Sequence, residues 1–198
     1  MRRAISKEKD KVIDIIVNAI EVNPKIQFLL GENNFPKKVR ALAQFIYAIS
    51  ERRKAIYLSD DGNGLLIFMH SSAWRKNWRD FWDHCLMIVS AFEWSRLIQI
   101  LKMEKELENH RPKDIEYLYV WVLGTKIEHQ GGNQARELRD ALFLKSTEMK
   151  LPIYAETAFD QNFIVYQRFG FESYHSQYFP EIPLTIRFLK KVIEPTSL

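Results

Sequence analysis

Residues 117–140 read YLYVWVLGTKIEHQGGNQARELRD and combine three local patterns in a fixed order. The first residues are dense in aromatic and β-branched side chains, and they predict a strand over residues 114–124. Two adjacent glycines, Gly131 and Gly132, follow in a chain that contains only 7 glycines. The residues after them predict a helix that ends near Lys150. The stretch therefore predicts a strand that passes through a glycine loop into a helix.

A loop that leads from a strand into a helix N-terminus presents several unpaired backbone N–H groups. With the positive end of the helix dipole, these donors suit a phosphate or pyrophosphate group. Gly131 and Gly132 let the backbone approach a bulky anion, and Arg136, one turn inside the helix, adds positive charge. Taken alone, the pattern is equally consistent with a plain strand-to-helix turn.

The composition indicates one globular domain. The chain has 198 residues, of which 46% are hydrophobic and 13% aromatic, enough to fill a sizeable core. No run of about 18 apolar residues indicates a membrane span, and the N-terminal stretch lacks the continuous apolar segment of a secretory signal. We therefore expect a cytoplasmic protein that does not bind membranes.

Cysteine and charge content exclude several kinds of site. The single cysteine, Cys85, rules out an internal disulfide and a cysteine-based metal site. No histidine shows metal-ligand spacing such as H-E-x-x-H, so we expect no metal. The net charge of +4 comes from 29 basic and 25 acidic residues that are interspersed. This balance suits an anionic ligand and argues against a nucleic-acid-binding surface.

The flanking sequence predicts further helices and strands. Apolar faces indicate a first helix with Ser6 as its cap and a second helix from Pro36. A hairpin is predicted around the DDGNG turn at 60–64, followed by a helical block over 74–110 that breaks near Phe92. A short strand is predicted near the start of the chain, at 3–5. After the central helix, a strand is predicted at 151–159, a helix at 160–170, and two further strands at 174–179 and 184–192.

A second motif lies downstream in NFIVYQRFGF, residues 162–171. Together with the loop QGGNQA, residues 130–135, it resembles the Gcn5-related N-acetyltransferase (GNAT) superfamily. That family has a Q/R-x-x-G-x-G/A loop after a strand, and then a strand and a helix that hold N-x-x-x-Y-x-x-x-G-F. The second motif matches in full at Asn162, Tyr166, Gly170 and Phe171.

The resemblance implies an α+β fold with a GNAT-like mixed, mostly antiparallel central sheet flanked by helices. The chain would form a single acetyltransferase-like domain over residues 1–198, with 115–171 as its acetyl-CoA-binding core. The helices predicted over 74–110 would be a helical insertion between the hairpin and the central strand.

The resemblance also implies acetyl-CoA-dependent transfer of an acetyl group to an amine of a small molecule or protein. The acceptor attacks the acetyl carbon directly, so no metal and no enzyme nucleophile are implied. The end of the central strand would hold the pantetheine, and the loop amides would hold the pyrophosphate. The implied cofactor-binding residues are Leu123, Gly124, Thr125, Gln130, Gly131, Gly132, Asn133, Gln134, Ala135, Arg136, Asn162 and Arg168.

Two residues are candidates for catalytic proton transfer. Tyr166 holds the family position from which the departing thiolate receives a proton or a hydrogen bond, and a core tyrosine is the alternative. Glu116, predicted on the central strand, is a candidate general base, and a solvated charge at the strand edge is the alternative. Glu156 and Thr157 end the strand that is predicted to diverge from the central one, where they would contact the acetyl group or the acceptor.

Three positions depart from the family pattern. Asn133 replaces the usual loop glycine, Gln134 replaces an aliphatic residue, and Ile127 replaces a proline. Asn tolerates left-handed backbone angles better than most residues, and Gly132 would take over part of the glycine's role. The departures leave a second hypothesis open, a noncatalytic module of this fold that binds CoA or a protein partner. The sequence identifies neither the acceptor nor the oligomeric state, for which a homodimer is one expectation.

Overall fold

Seven strands form the sheet at the centre of the computed structural model, which describes residues 1–76 and 94–192. The strands are β1 Arg2–Arg3, β2 Ile56–Leu58, β3 Gly64–His70, β4 Leu118–Thr125, β5 Ile153–Thr157, β6 Glu172–Phe179 and β7 Leu184–Lys191. They lie in the order β1-β2-β3-β4-β5-β7-β6, and among them only β4 and β5 pair in parallel. The predicted mixed, mostly antiparallel sheet and the predicted hairpin are therefore confirmed.

Helices cover both faces of this sheet. They are α1 Lys9–Ile20, α2 Pro24–Leu30, α3 Phe35–Arg52, α4 Ser71–Lys76, α5 Trp94–His110, α6 Gln134–Met149 and α7 Asp160–Arg168. Because side chains alternate along a strand, one face of β3 and β4 packs on α1, α2 and α3, and the other packs on α6 and α7. Buried side chains of α5 pack against β6 and β7 in a third cluster. No helix in the described ranges is long and apolar enough to cross a membrane.

The predicted cap of the first helix is wrong. Ser6 is the first residue of a 3-10 turn, Ser6–Glu8, that precedes α1. The Glu8 carboxylate accepts a hydrogen bond from the Ile5 amide at 3.1 Å, so the capping contact involves neighbouring residues instead. The predicted helix break near Phe92 and the inert thiol of Cys85 lie outside the described residues.

The predicted start of the central strand is also wrong. β4 begins at Leu118 rather than at residue 114, because its partner strand ends at His70. The chain enters α4 at Ser71, whose amide donates to the Tyr117 carbonyl oxygen at 2.8 Å. Glu116 therefore precedes the strand instead of lying on it.

The parallel pairing of β4 with β5 is short. Three pairs form, Leu118 with Ile153, Tyr119 with Tyr154, and Val120 with Ala155. β4 then continues to Thr125 along β3, with a bulge at Trp121, and β5 continues to Thr157 along β7. Beyond Val120 and Ala155 each strand follows its antiparallel neighbour, which leaves an opening between them that we name the β4–β5 gap.

Two stacked imidazoles hold the end of α5 against β6. The ring centroids of His110 and His175 lie 3.8 Å apart, and both rings contact Phe188, at 5.6 and 5.5 Å. The Tyr174 hydroxyl donates to the His110 carbonyl oxygen at 3.3 Å. Burial and then the neighbouring imidazole lower the pKa of His110, which Glu106 opposes. The pair therefore favours the neutral form of His110.

We expect this pair to make the folded protein less stable in mild acid. In the unfolded chain His110 has a pKa of about 6.5, and in the folded chain its pKa is lower. The folded protein therefore loses stability as the pH falls below the unfolded value. His175→Phe keeps a stacked ring and removes one ionisable group, so its melting temperature should fall less between pH 7.5 and 5.5. His129→Gln, in the turn after β4, is the matched control and should behave like the unmodified protein. An equal fall of the melting temperature in all three proteins would show that the His110–His175 pair does not cause the loss of stability in acid.

Candidate functional site

The end of β4 offers an unpaired strand edge. Leu123, Gly124 and Thr125 pair with β3 on one side, and no described strand pairs with them on the other. A Cβ at Gly124 would lie 2.9 Å from the Ala19 Cβ, so α1 packs closely over this part of the strand. Backbone groups along such an edge can pair with an extended, amide-containing ligand.

The loop after β4 turns at one glycine. A 3-10 turn, Ile127–His129, follows the strand, and Gly131 has a φ of +83° before α6 begins. Asn133, the residue before α6, has a φ of −80° in the right-handed region. The positive φ of this turn therefore lies at Gly131, and the tolerance of Asn133 for a left-handed angle is not used.

Several amides of this loop have no acceptor. The Gln130 amide donates to the Ile127 carbonyl oxygen, and the Gly132 amide donates to that of His129, both at 3.2 Å. The amides of Gly131 and of residues 133–136 have no hydrogen-bond acceptor in the described part of the chain. Convergent amides at a helix N-terminus suit a phosphate group.

The turn between β2 and β3 holds the start of α6 in place. Gln134 Nε2 donates to Asp61 Oδ2 at 2.9 Å, and the Asp60 amide donates to Glu137 Oε1 at 2.8 Å. The hydrogen bonds from Gln134 and then Ser59 hold the pKa of Asp61 well below its usual range. The other amide atom, Gln134 Oε1, is buried without a hydrogen-bond partner among the described residues.

α7 carries the second motif and faces the sheet through Tyr166. Its ring is half-buried and lies 5.0 Å from the Phe171 ring at an angle of 71°. Burial raises the pKa of Tyr166 to about 12. No described residue forms a hydrogen bond with its hydroxyl. Asn162 and Arg168, in the same helix, are exposed.

Solved structures share this arrangement of strands, loop and helices. An arylalkylamine N-acetyltransferase 2 from Aedes aegypti is similar at a TM-score of 0.64 and 12% identity, over 98% of each chain. A Corynebacterium glutamicum protein described as histone acetyltransferase HPA2 and related acetyltransferase is similar at a TM-score of 0.63 and 14% identity, over 98% of this chain and 96% of that one. The C-terminal condensation domain of Ebony, in complex with beta-alanyl-dopamine, is similar at a TM-score of 0.60 and 9% identity, over 96% of each chain. No family model and no curated protein sequence matches.

The chain has the GNAT fold. The strand end and the loop are consecutive in the sequence, whereas α7 follows after α6 and β5. The candidate cofactor residues lie on three elements: β4 carries Leu123, Gly124 and Thr125, the loop and the first turn of α6 carry Gln130 to Arg136, and α7 carries Asn162 and Arg168.

Glu116 lies apart from these elements. It precedes the first residue of β4, its side chain is 65% exposed, and its carboxylate is 3.8 Å from His70 Nε2. Thr125 lies at the opposite end of the strand, so the two are separated by roughly 30 Å of extended chain. Tyr119, which is buried on β4, has a pKa raised well above its usual value by burial, which makes it a poor base.

One feature of the site has no local signal in the sequence. Glu156 forms a buried ion pair with Arg111, which directly follows α5. The sequence assigns Arg111 only to the end of a helical block. The pairing partner is 45 residues away, so a local pattern contains no information on it.

We expect Gly132→Ala to destabilise the loop. The added Cβ would lie 2.3 Å from Gln134 Oε1 and 3.1 Å from the His129 carbonyl oxygen. Gln134→Ala removes the first of these contacts. The loss of unfolding free energy in the double variant should therefore be smaller, by about 1 kcal/mol, than the sum of the losses in the two single variants. Urea unfolding of the four proteins measures this coupling.

Gly131→Ala is the matched control for this cycle. Nothing lies within 4 Å of a Cβ at Gly131, and its cost of about 1 kcal/mol comes from the positive φ alone. We therefore expect its effect to add to that of Gln134→Ala. Additive effects in both cycles would contradict the role of Gln134 in shaping the loop.

Proposed function

We propose that the protein is an N-acetyltransferase that transfers the acetyl group of acetyl-CoA to an amine. One observation carries the proposal: an unpaired strand edge leads into a loop in which the amides of Gly131 and of residues 133–136 have no acceptor among the described residues. The edge suits the amides of pantetheine, and the loop suits a pyrophosphate. Acetyl-CoA contains these two groups in the same order. The GNAT fold, shared with proteins described as acetyltransferases, supports the proposal.

We assign the binding of the donor mainly to backbone groups. Leu123, Gly124 and Thr125 would pair with the pantetheine. The amides of Gly131 and of residues 133–135 would hold the pyrophosphate, because the amides of Gln130 and Gly132 already donate within the loop. Arg136 and Arg168 would add positive charge near the CoA phosphates, and Asn162 would orient the pantetheine or the helix start. Asn133 and Gln134 would take part through their backbone amides. A change of side chain from the family pattern does not remove these donors.

The proposed reaction is a direct attack. The acceptor nitrogen, after losing the proton of an ammonium with a reference pKa of about 10.4, attacks the acetyl carbon. The C–S bond breaks and CoA leaves as a thiolate. The nitrogen, which becomes cationic on attack, loses a proton as the amide forms, and this balances the proton that the thiolate takes up. The backbone N–H near Leu123 would stabilise the negative charge that develops on the carbonyl oxygen. This scheme needs a hydrogen-bond or proton donor for the thiolate.

Tyr166 is our candidate for that donor. Its pKa of about 12 keeps the phenol protonated at neutral pH, where it can donate. Its hydroxyl forms no hydrogen bond with the described residues, so it has a donor to offer. We do not extend the general-base role to Glu116, because its exposed position precedes the strand.

Titration calorimetry with acetyl-CoA and CoA tests the proposal. Binding, followed by thiol release with at least one primary amine of a broad panel, is the expected result. Absence of binding would overturn the proposal. Binding without thiol release would favour the noncatalytic alternative, in which the fold serves as a CoA-binding module.

We expect Tyr166→Phe to lower kcat by roughly 10²-fold, because the thiolate loses its donor. The Kd for acetyl-CoA, measured by calorimetry, should change by less than about twofold, since the donor acts as the C–S bond breaks. Tyr178→Phe is the matched control, because Tyr178 lies on β6 and is 55% exposed. A loss of affinity that matches the loss of kcat would assign Tyr166 to binding alone.

A further inference from the structure

Four charged side chains meet on one face of the sheet beside the β4–β5 gap: Lys25, Glu104, Arg111 and Glu156. Arg111 and Glu156 form a bidentate pair, with Nε–Oε1 and Nη2–Oε2 distances of 2.5 and 2.8 Å. Arg111 Nη2 also lies 3.6 Å from Glu104 Oε2, and Glu104 pairs with Lys25 of α2. The Arg111 and Glu156 side chains are 7% and 12% exposed.

The location of this network indicates a role beyond stability. Burying paired charges is costly, and apolar residues of similar volume often stabilise a fold as well or better. Burial lowers the pKa of Lys25, an effect that the negative charge of Glu156 opposes. Buried ionisable groups with shifted pKa values beside a cleft are typical of functional sites.

Glu156 occupies the position in the network that borders the gap. It follows Ala155, the last residue of β5 that pairs with β4. Burial and then the negative charge of Glu156 raise the pKa of Tyr119 on β4, so the Glu156 carboxylate lies near β4 where the two strands part. Tyr166 packs in the core cluster on the opposite face of the sheet. That cluster includes Val120 and Ala155, the last parallel pair, so the Glu156 carboxylate and the Tyr166 ring belong to opposite faces of the sheet at the level of the gap.

The carboxylate of Glu156 retains capacity for another donor. A carboxylate offers about four lone-pair sites. Arg111 occupies two of them, one on each oxygen, which leaves capacity for a further N–H group. Because Arg111 holds both oxygens, the carboxylate has a fixed orientation.

We propose that Glu156 binds the amino group of the acceptor, a primary amine, by accepting an N–H hydrogen bond. Arg111 is a positioning residue that fixes the carboxylate. The inference rests on the proposed function and names the acceptor side of the same site. The amine enters from the Glu156 face of the gap, and the thiolate leaves toward the Tyr166 face, so nucleophile and leaving group do not compete for one space.

Steady-state kinetics of Glu156→Gln tests the inference. Acetyl-CoA is the donor, and the probes are 2-phenylethylamine, tryptamine, putrescine and a lysine-containing peptide. We expect kcat/KM for the amine to fall by roughly 10²-fold, with most of the change in KM, while the Kd for CoA changes by less than about twofold. Glu104→Gln is the matched control: it belongs to the same network but does not border the gap, so its effect on the amine KM should be much smaller.

If Glu156→Gln does not fold, a double variant tests the same inference. Arg111→Leu with Glu156→Leu removes both charges together, which destabilises a protein less than removing one partner of a buried ion pair. It should bind CoA and still lose amine turnover. Arg111→Lys keeps the charge without the bidentate geometry, and it should raise the amine KM at an unchanged Kd for CoA.

The outcomes separate this inference from the proposed function. CoA binding and amine turnover by the unmodified protein, with an unchanged amine KM in Glu156→Gln, would overturn the role of Glu156 alone. Equal effects of Glu156→Gln and Glu104→Gln would also overturn it, because they would indicate a structural network. Absence of CoA binding, or of turnover with every probe, by the unmodified protein would overturn both.

Discussion

The end of the parallel pairing between β4 and β5 is the constraint on which the site depends. Val120 and Ala155 are the last pair, and beyond them β4 stays with β3 while β5 stays with β7. Each strand keeps the more extensive antiparallel ladder, so the short parallel one is interrupted. The bulge at Trp121 bends β4 at the same level. An opening in the middle of a continuous sheet is the result, with helices on both faces to enclose it.

The two faces of the sheet differ in chemistry beside this opening. The face toward α6 and α7 is apolar, and the Tyr166 ring packs against it. The face toward α2 and α5 carries a charge-balanced network that ends at Glu156. The loop amides at the start of α6 lie past the end of β4. Our proposals therefore use three different regions around β4: the loop for anion binding, the Tyr166 face for proton donation and the Glu156 face for amine recognition.

Sequence patterns predicted most elements because each pattern is local. Apolar periodicity located α1 and α3, and the glycine turn located the hairpin. The predicted ends of elements were wrong where a contact with a distant residue sets them. Glu116 lies outside β4 because Ser71 forms hydrogen bonds with Tyr117, 46 residues away. The loop sequence also left open which residue takes the positive φ of the turn. It is Gly131, and Asn133 stays in the right-handed region.

The sequence by itself determined the order of elements, the loop and the motif with Tyr166, because spacing along one strand, turn or helix is encoded by neighbouring residues. Only the tertiary structure decided which loop amides lack acceptors, where β4 and β5 separate, and that Arg111 meets Glu156. These facts depend on contacts between segments far apart in the chain. Such contacts are set by the packing of the whole sheet and its helices, and no single segment specifies them.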